Sequence, residues 1–433
     1  MRVKAVLQNL TGLSRIFHKK GISRKTLKEM LMKNSIVLIL LILASVLSAG
    51  NAFAEGDVKT GAPPDEFPIF PWDTLGSKQE VYFEAKDCGF NVAGFVAPEN
   101  LDKAHAAGLK AFVLEPTINL RTQEPLTDEE IKSVASAVVS KVDSHPAVIG
   151  YHLIDEPDRS LIPYVAKWVR AFQECSPKGI AFVNLFPYFE RGNKGITYED
   201  YLTSFTRLAQ PRALSYDNYT LIDNGTIRDT FFMNFEMMRK VSQKAGVPFW
   251  FIGLANAHFN YTEPRYSTFE FQMNTALAYG ARGMGWFTYL ARDRGNYRFS
   301  SIDFDGRKTP TWDMLRAANR QIHNLAPVYL KLKSVNVFHH PDVPMGCRGI
   351  DSSLYLKEIK GRGPFLVGEF EHPNGKRYFL IVNRNLAKST SYEVVPVKPG
   401  NLMKVSSYTG NIGAYTAENN WLAPGQGMLL FFE

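Results

Sequence analysis

The stretch "GYHLIDEPDRS", residues 150–160, sets two adjacent acids, Asp155 and Glu156, at the end of an apolar run, with Pro157 directly behind them. Acids are poor strand residues, and a proline ends a strand. Two carboxylates at the tip of a buried strand are costly to desolvate, so their position needs a reason. That reason lies in what the neighbouring segments build.

Working outward, short apolar runs alternate with segments of helical period. Upstream, "EFPIFPW", "FNVAGFV" and "LKAFVLEP" read as strands, with helix-like segments between them. The helix "TDEEIKSVASAVVSKVDS" opens on Thr127 and Glu130, the pairing of a capping box. Downstream, "GIAFVNLFPYF", "ALSYDNYTLI", "VPFWFIGLANAHF" and "ARGMGWFTYL" repeat the pattern, closing on the helix-like "TWDMLRAANRQIHNLAPVYLKL". Eight strand–helix units over about 265 residues predict an α/β fold, a (β/α)8 TIM barrel. After residue 334 the period changes. "FLVGEFEHPNGKRYFLIVNRN" places a Pro-Asn-Gly turn between two strand-like runs, and further short strands follow. A small all-β sandwich domain is expected there. The expected division is a leader at 1–54, a barrel at 60–333 and a sandwich at 334–433.

The formal charge of +8 is misleading, because residues 1–54 hold nine of the 50 Lys/Arg and one of the 42 acids. The rest carries 41 of each, so no nucleic-acid partner is expected. The leader has Lys33, an apolar run from Ile36 to Val46 and a small-x-small site at Ala52-Phe53-Ala54. That is the layout of a signal peptide cut after Ala54, with Met32 as a second candidate start. An uncleaved anchor is the alternative, although the run is short for a span. Cleavage would leave no stable membrane span and an exported protein, periplasmic or extracellular in a bacterium. The cysteines Cys88, Cys175 and Cys347 are far apart and read as buried free thiols. No thiolate pair, H-x-H, H-E-x-x-H or glycine-rich phosphate loop occurs, so neither a metal nor another cofactor is expected. A G-x-S-x-G setting for a serine nucleophile is also missing.

A TIM barrel carries its active site at the carboxyl ends of its strands. Those ends supply Trp72, Asp73, Glu115, Asp155, Glu156, Asn184, Tyr188, Tyr216, Asp217, Tyr219, Asn256, His258, Trp286 and Tyr289. Strand alternation puts Gly150, His152, Ile154 and Glu156 on one face. Ile149, Tyr151, Leu153 and Asp155 fall on the other, bulkier face, expected to meet the helices. Glu156 is therefore expected at the mouth, with Asp155 joining it only if the strand turns at Pro157. A partly buried Glu beside a second carboxylate keeps its proton near neutrality, as a general acid must. Asp217 is the candidate second carboxylate. The plainer alternatives are an ion pair or loop cap for Glu156, a helix cap for Asp155 and an ordinary turn residue for Asp217. The aromatics Trp72, Tyr188, Tyr216, Tyr219, Trp286 and Tyr289 suit the apolar faces and hydroxyl edges of a sugar.

At these residues the sequence resembles secreted bacterial TIM-barrel glycoside hydrolases, of Bacteroides-like type, with a sandwich after the barrel. The resemblance rests on "GYHLIDEP", "LSYDNYTL", "PFWFIGLANAH" and "FEFQMNTALAYGARGMGWFTY". The last of these is similar to a segment of the β-galactosidase-like barrels of clan A. The resemblance implies an oligosaccharide or polysaccharide substrate, cleaved by carboxylate acid/base chemistry. It departs from clan A at strand 7, "VPFWFIGLANAH", which has no carboxylate where the nucleophile would stand. The adjacent Asp155 and Glu156 instead resemble the pair of glycoside hydrolase families 20 and 123. Such a pair implies an N-acetylhexosaminidase in which the substrate's own acetamido group attacks, Asp155 orients it, and Tyr216 or Tyr219 holds its oxygen. In a direct reaction Asp217 would serve, or less favourably Glu115 or Glu270. A catalytically silent glycan-binding barrel is the non-enzymatic alternative.

Overall fold

The computed structural model describes residues 66–122, 124–188, 197–416 and 419–433. The expected leader and its expected cleavage site lie outside the described residues. Eight parallel strands carry the first part of the chain: β1 (Ile69–Pro71), β2 (Val92–Val96), β3 (Lys110–Val113), β4 (Val148–Asp155), β5 (Ile180–Leu185), β6 (Leu214–Asp217), β7 (Phe249–Leu254) and β8 (Met284–Phe287). From β2 to β8 each strand pairs with its sequence neighbours, and β8 pairs with β1. The ring closes between β1 and β2 through Asn91. Its side chain accepts from Ile69 N–H (2.7 Å) and donates to Phe67 C=O (3.0 Å), standing in for a regular ladder. Gly94 lets β2 approach β1 there, since a Cβ would sit 2.5 Å from Pro71 O.

The helices are α1 (Gln79–Asp87), α2 (Leu101–Ala106), α3 (Asp128–Val142), α4 (Ile162–Cys175), α5 (Tyr198–Ala209), α6 (Thr230–Ala245), α7 (Tyr266–Ala278) and α8 (Pro310–Tyr329). The expected capping box opens α3: Thr127 Oγ1 accepts from Glu130 N–H (3.2 Å), and Glu130 Oε2 accepts from Thr127 N–H (2.8 Å). Phe70, Phe112, Phe182 and Trp250 fill the barrel's middle, with ring centroids 4.8–6.0 Å apart. The interior is a packed core and not a pore.

Beyond the barrel come antiparallel strands. β9 (Lys333–His340), β11 (Phe365–Glu371), β12 (Arg377–Asn383), β14 (Leu402–Val405), β15 (Ile412–Ala414) and β17 (Gly427–Phe432) form one sheet, in the order β15-β14-β17-β12-β11-β9. β10 (Leu356–Gly361), β13 (Thr390–Pro396) and β16 (Trp421–Leu422) form the other. The Pro-Asn-Gly turn joins β11 to β12 as a hairpin, with Glu371 opposite Arg377. Strand alternation divides the larger sheet. Phe365, Val367, Phe379, Ile381 and Leu430 pack inside the sandwich. Leu366, Phe370, Leu380, Val382, Leu429 and Phe431 join the apolar layer shared with the barrel helices. Gly368 sits where β11 crosses the end of α7, and a Cβ there would run into Ala278 O.

Candidate active site

Strand β4 does not keep strict alternation. Ile149 packs in the barrel interior with Phe112 and Phe182, against expectation. Tyr151 faces outward, its hydroxyl donating to Asp143 (2.7 Å). His152 faces inward, its ring 4.2 Å from Phe95. The register against β5 then slips between His152 and Ile154, which pair with the successive residues Phe182 and Val183. The extra residue is a bulge. Leu153 and Ile154 both join the helix-side core, and Asp155 swings inside to meet Asn184. The expectation for Ile149 is corrected by an earlier slip, where Ala111 and Phe112 of β3 pair with Val148 and Gly150, and that for Ile154 and Asp155 by the bulge: both acids reach the mouth, through that bulge as well as the turn at Pro157.

Glu156 has a φ of +42°, and its N–H donates to Asn184 O (2.8 Å). Left-handed backbone costs a non-glycine residue about 1–3 kcal/mol and persists only where the surroundings enforce it. Pro157, the Asn184 carbonyl and Arg121 enforce it here. The Arg121 guanidinium, from the β3–α3 loop, donates to the carbonyls of Asp155 and Glu156.

Asn184, on β5, organises the carboxylates. Its Nδ2 donates to Asp155 Oδ1 (3.1 Å) and Asp217 Oδ1 (2.7 Å), while its Oδ1 accepts from Ser215 Oγ (2.9 Å). Ser215 and Asp217 are two apart on β6 and so share its inner face. Asp217 in turn forms a side-chain hydrogen bond with Glu156. Burial first, then the charges of Asp217 and Asp155, push the Glu156 carboxyl far above the ordinary range. Burial and then Asp155 also raise Asp217, while its bonds to Asn184 and Glu156 pull the other way. Of the two, Glu156 is raised further, so it is the one that keeps its proton to higher pH. Asp155 is raised by burial, opposed by Asn184, Arg121 and Arg292.

An aromatic wall stands beside this pair. Tyr219 stacks on Phe287 (centroids 5.3 Å apart) and meets Tyr261 edge-on at 6.1 Å. His258 lies flat on Tyr297 at 4.6 Å, and its Nδ1 donates to Asn256 Oδ1 (3.0 Å). Asn256 is oriented by donating to Thr288 Oγ1 (2.7 Å). Burial, then Arg292, Arg294 and Arg298, lower His258 to about 4, so it is neutral and positions a wall instead of shuttling protons. The Arg292 guanidinium covers Phe287 at 4.8 Å.

Asp155, Glu156 and Asp217 thus come together, with Tyr219, His258 and Asn256 alongside. Other candidates turn elsewhere. Tyr216, one residue from Asp217, points to the helix side against Phe235 and Phe251 and is fully buried. Trp286 does likewise and donates to Asn319 Oδ1 (2.9 Å). Tyr289 is sealed behind the barrel, its hydroxyl accepting from Trp312 Nε1 (3.1 Å). These three are corrected as sugar contacts: alternation sends Tyr216 and Trp286 outward, and Tyr289, past the end of β8, turns back against Phe90 and Trp312. Trp72 packs into the barrel top against Phe95 and His152. Asp73 clamps the β8–α8 loop, accepting from Tyr289 N–H (2.6 Å) and pairing with Arg292 (3.2 Å). Burial raises it to about 6 even so. Glu115 accepts from Thr117, two residues along its own loop. Glu270 is held behind the barrel by Gln321 and Asn274. Tyr188 is half-buried beside Tyr198, at 6.1 Å. Arg121, Phe287, Tyr261, Tyr297 and Arg292 were not anticipated, nor was the bridging role of Asn184. Only the last left a signal, in the polar inner face shared by Ser215 and Asp217.

No model of a known protein family matches the chain, and no curated protein resembles it in sequence. Solved structures do resemble it. One described as a glycoside hydrolase is 10% identical, with 85% of this chain matched to 93% of that one at a TM-score of 0.53. A family 5 glycoside hydrolase from Bacteroides vulgatus is 12% identical over 84% of this chain and 89% of its own, with a TM-score of 0.52. The match to a β-galactosidase from Marinomonas ef1, 11% identical with a TM-score of 0.48, spans only 62% of either chain. At such identities the likeness establishes the fold, a (β/α)8 barrel with appended β-sheets.

Proposed function

We propose that the chain is a glycoside hydrolase in which Glu156 is the general acid and Asp217 the carboxylate that works with it. The observation that carries this reading is the cluster itself: Glu156 beside Asp155 and the buried Asp217, the last two bridged by Asn184, at the carboxyl end of a barrel, where burial raises all three carboxyls. In the first step Glu156 gives its proton to the glycosidic oxygen, and the leaving alcohol departs. Asp217 attacks the anomeric carbon and forms a glycosyl ester. The Glu156 carboxylate then takes a proton from water, whose oxygen displaces Asp217 and restores both groups. Carboxyl groups about 5–5.5 Å apart act by this retaining route, and pairs about 6.5–9.5 Å apart invert. A hydrogen-bonded pair stands nearer the first arrangement. Retention is therefore expected, with the sugar parting the two groups as it enters.

A second reading has its own support. Asp217 is only 7% exposed, and Asp155 is held by Asn184 beside Glu156. An acetamido sugar could then supply the nucleophile, oriented by Asp155. Catalysis belongs in either case to residues 60–333, with 334–433 as support, and export follows if the leader is cut after Ala54.

The test is hydrolysis of aryl glycosides and natural glycans by the wild type, Glu156→Gln, Asp217→Asn and Asp155→Asn, with proton NMR of the first-formed anomer. Retention with dependence on Asp217 supports the first reading. Activity restricted to N-acetylhexosaminides, blocked by a thiazoline and indifferent to Asp217→Asn, overturns it in favour of the second. Glycan binding without turnover would make the barrel a silent binder.

A further inference from the structure

A groove of about 610 Å³ runs beside the mouth, between the β7–α7 loop and the long β8–α8 loop. Glu263, Arg292, Tyr297, Arg298, Phe299 and Phe304 are among its walls. It lies within the size range of small-molecule sites. Tyr297 is the partition: one side lies on His258 of the catalytic wall, and the ring also lines the groove.

Two aromatic side chains here are left to solvent. Phe299 is 49% exposed and Phe304 71% exposed. Phe299 also has a φ of +58°, a backbone state in which glycine would be unstrained. The loop is nonetheless fixed. Ala257 and Arg298 exchange two backbone hydrogen bonds of 2.9 Å, and Asn296 both accepts from Phe259 N–H (2.6 Å) and donates to Phe259 O (3.0 Å). Strained backbone that holds an exposed aromatic ring in a rigid loop marks a binding platform. The polar edge is already neutralised, because Arg292 pairs with Asp73 (3.2 Å) and Arg298 with Glu263 (3.8 Å). An acidic ligand finds no spare cation on either arginine, whereas hydroxyl groups find both donors and acceptors.

We infer that this groove is a second carbohydrate subsite, which takes a neutral pyranose unit of an oligosaccharide chain whose neighbouring unit lies at Glu156 and Asp217. Phe299 and Phe304 supply the stacking faces, and Glu263, Arg292 and Arg298 meet the hydroxyl edge. The inference rests on the barrel acting on glycans, though not on hydrolysis itself.

Calorimetric titration of Glu156→Gln with cellohexaose, xylohexaose, mannohexaose, chitohexaose and hexagalacturonate tests it. At least one neutral hexaose is expected to bind, with affinity reduced tenfold or more in the Phe299→Gly/Phe304→Ala variant while the melting temperature holds. Binding of no neutral hexaose, of hexagalacturonate alone, or with affinity unchanged in that variant overturns the subsite. Phenylalanine-dependent binding by a wild type that cleaves nothing would sink the hydrolase reading and leave the subsite standing.

Discussion

The two ends of the barrel make a useful pair. At the amino-terminal end lies a cavity of about 810 Å³, larger than the groove by the mouth, with Arg239, Arg282, Lys331 and Lys333 among its lining residues. Its arginines are occupied with the scaffold: Arg282 donates to the carbonyls of Tyr329 and Leu332, and Arg239 Nε to Ser334 Oγ (3.0 Å). They tie the end of α8 and the start of β9 to the barrel. At the carboxyl-terminal end the charged groups press on one another, and Glu156 and Asp217 sit far from their ordinary ionisation. Cavity size does not locate chemistry here. Groups held in a costly protonation state are the better guide, because that cost is tolerated where a reaction uses it, and on that ground the proposed site is the mouth.

The sharpest break in the comparison would come from the carboxylates. Glu156→Gln is expected to lower turnover by about 10²–10⁴-fold on substrates with poor leaving groups, and by less on activated aryl glycosides. Equal and negligible losses on both would remove Glu156 from the acid's role. Next in size is Asn184→Leu, which strips a donor from two carboxylates at once. Hydrogen bonds to charged groups are worth about 1.5–3 kcal/mol, which corresponds to roughly a 10–100-fold loss in activity. The pH profile should move with it. Without the Asn184 donor Asp217 is harder to ionise, so the acid limb shifts to higher pH; an unmoved limb would make Asn184 a packing residue only.

Arg282→Met probes the opposite end. It should lower stability by about 1–3 kcal/mol through the unpaired carbonyls of Tyr329 and Leu332, with turnover per folded molecule intact. Lost turnover in a well-folded variant would erase the distinction between the ends. The smallest effect concerns stability against pH. The folded-state pKa of Glu156 is raised, so its contribution to stability is full below its unfolded value and is lost as pH rises through the folded one. Gln has no such loss. The melting temperature of Glu156→Gln relative to wild type should therefore climb between pH 5 and pH 8, and a flat difference would contradict the buried, protonated Glu156.

The eight-unit count, the Thr127 capping box and the hairpin at Pro373-Asn374-Gly375 could be read from the chain because each depends on local chemistry: period, cap and turn. The acids at the β4 tip were legible for the same reason. Facing was less so. Alternation assumes an unbroken strand, and the bulge between His152 and Ile154 reversed the faces of Ile154 and Asp155. Tyr216, Trp286 and Tyr289 were drawn to the mouth by position alone, although for Tyr216 and Trp286 their neighbours on the strand could have argued otherwise. Arg121 and Tyr297 lie on long loops, where no period announces which side chain returns to the site.

The last strand, β17, lies between β12 and β14, well inside its sheet. Its segment also touches the barrel: Asn274 of α7 donates to Gly425 O (3.3 Å), and Gln272, two residues earlier on α7, holds both the N–H (2.8 Å) and the C=O (3.1 Å) of Leu254, two residues before Asn256. A growing chain must therefore wait for residues near 430 before α7 can be covered and the wall beside Glu156 braced from behind. The backing of that wall is accordingly completed by a segment 151 residues further along the chain than Asn274. Shortening the chain by even that one strand should leave a barrel with an uncovered helix, a target for chaperones and proteases.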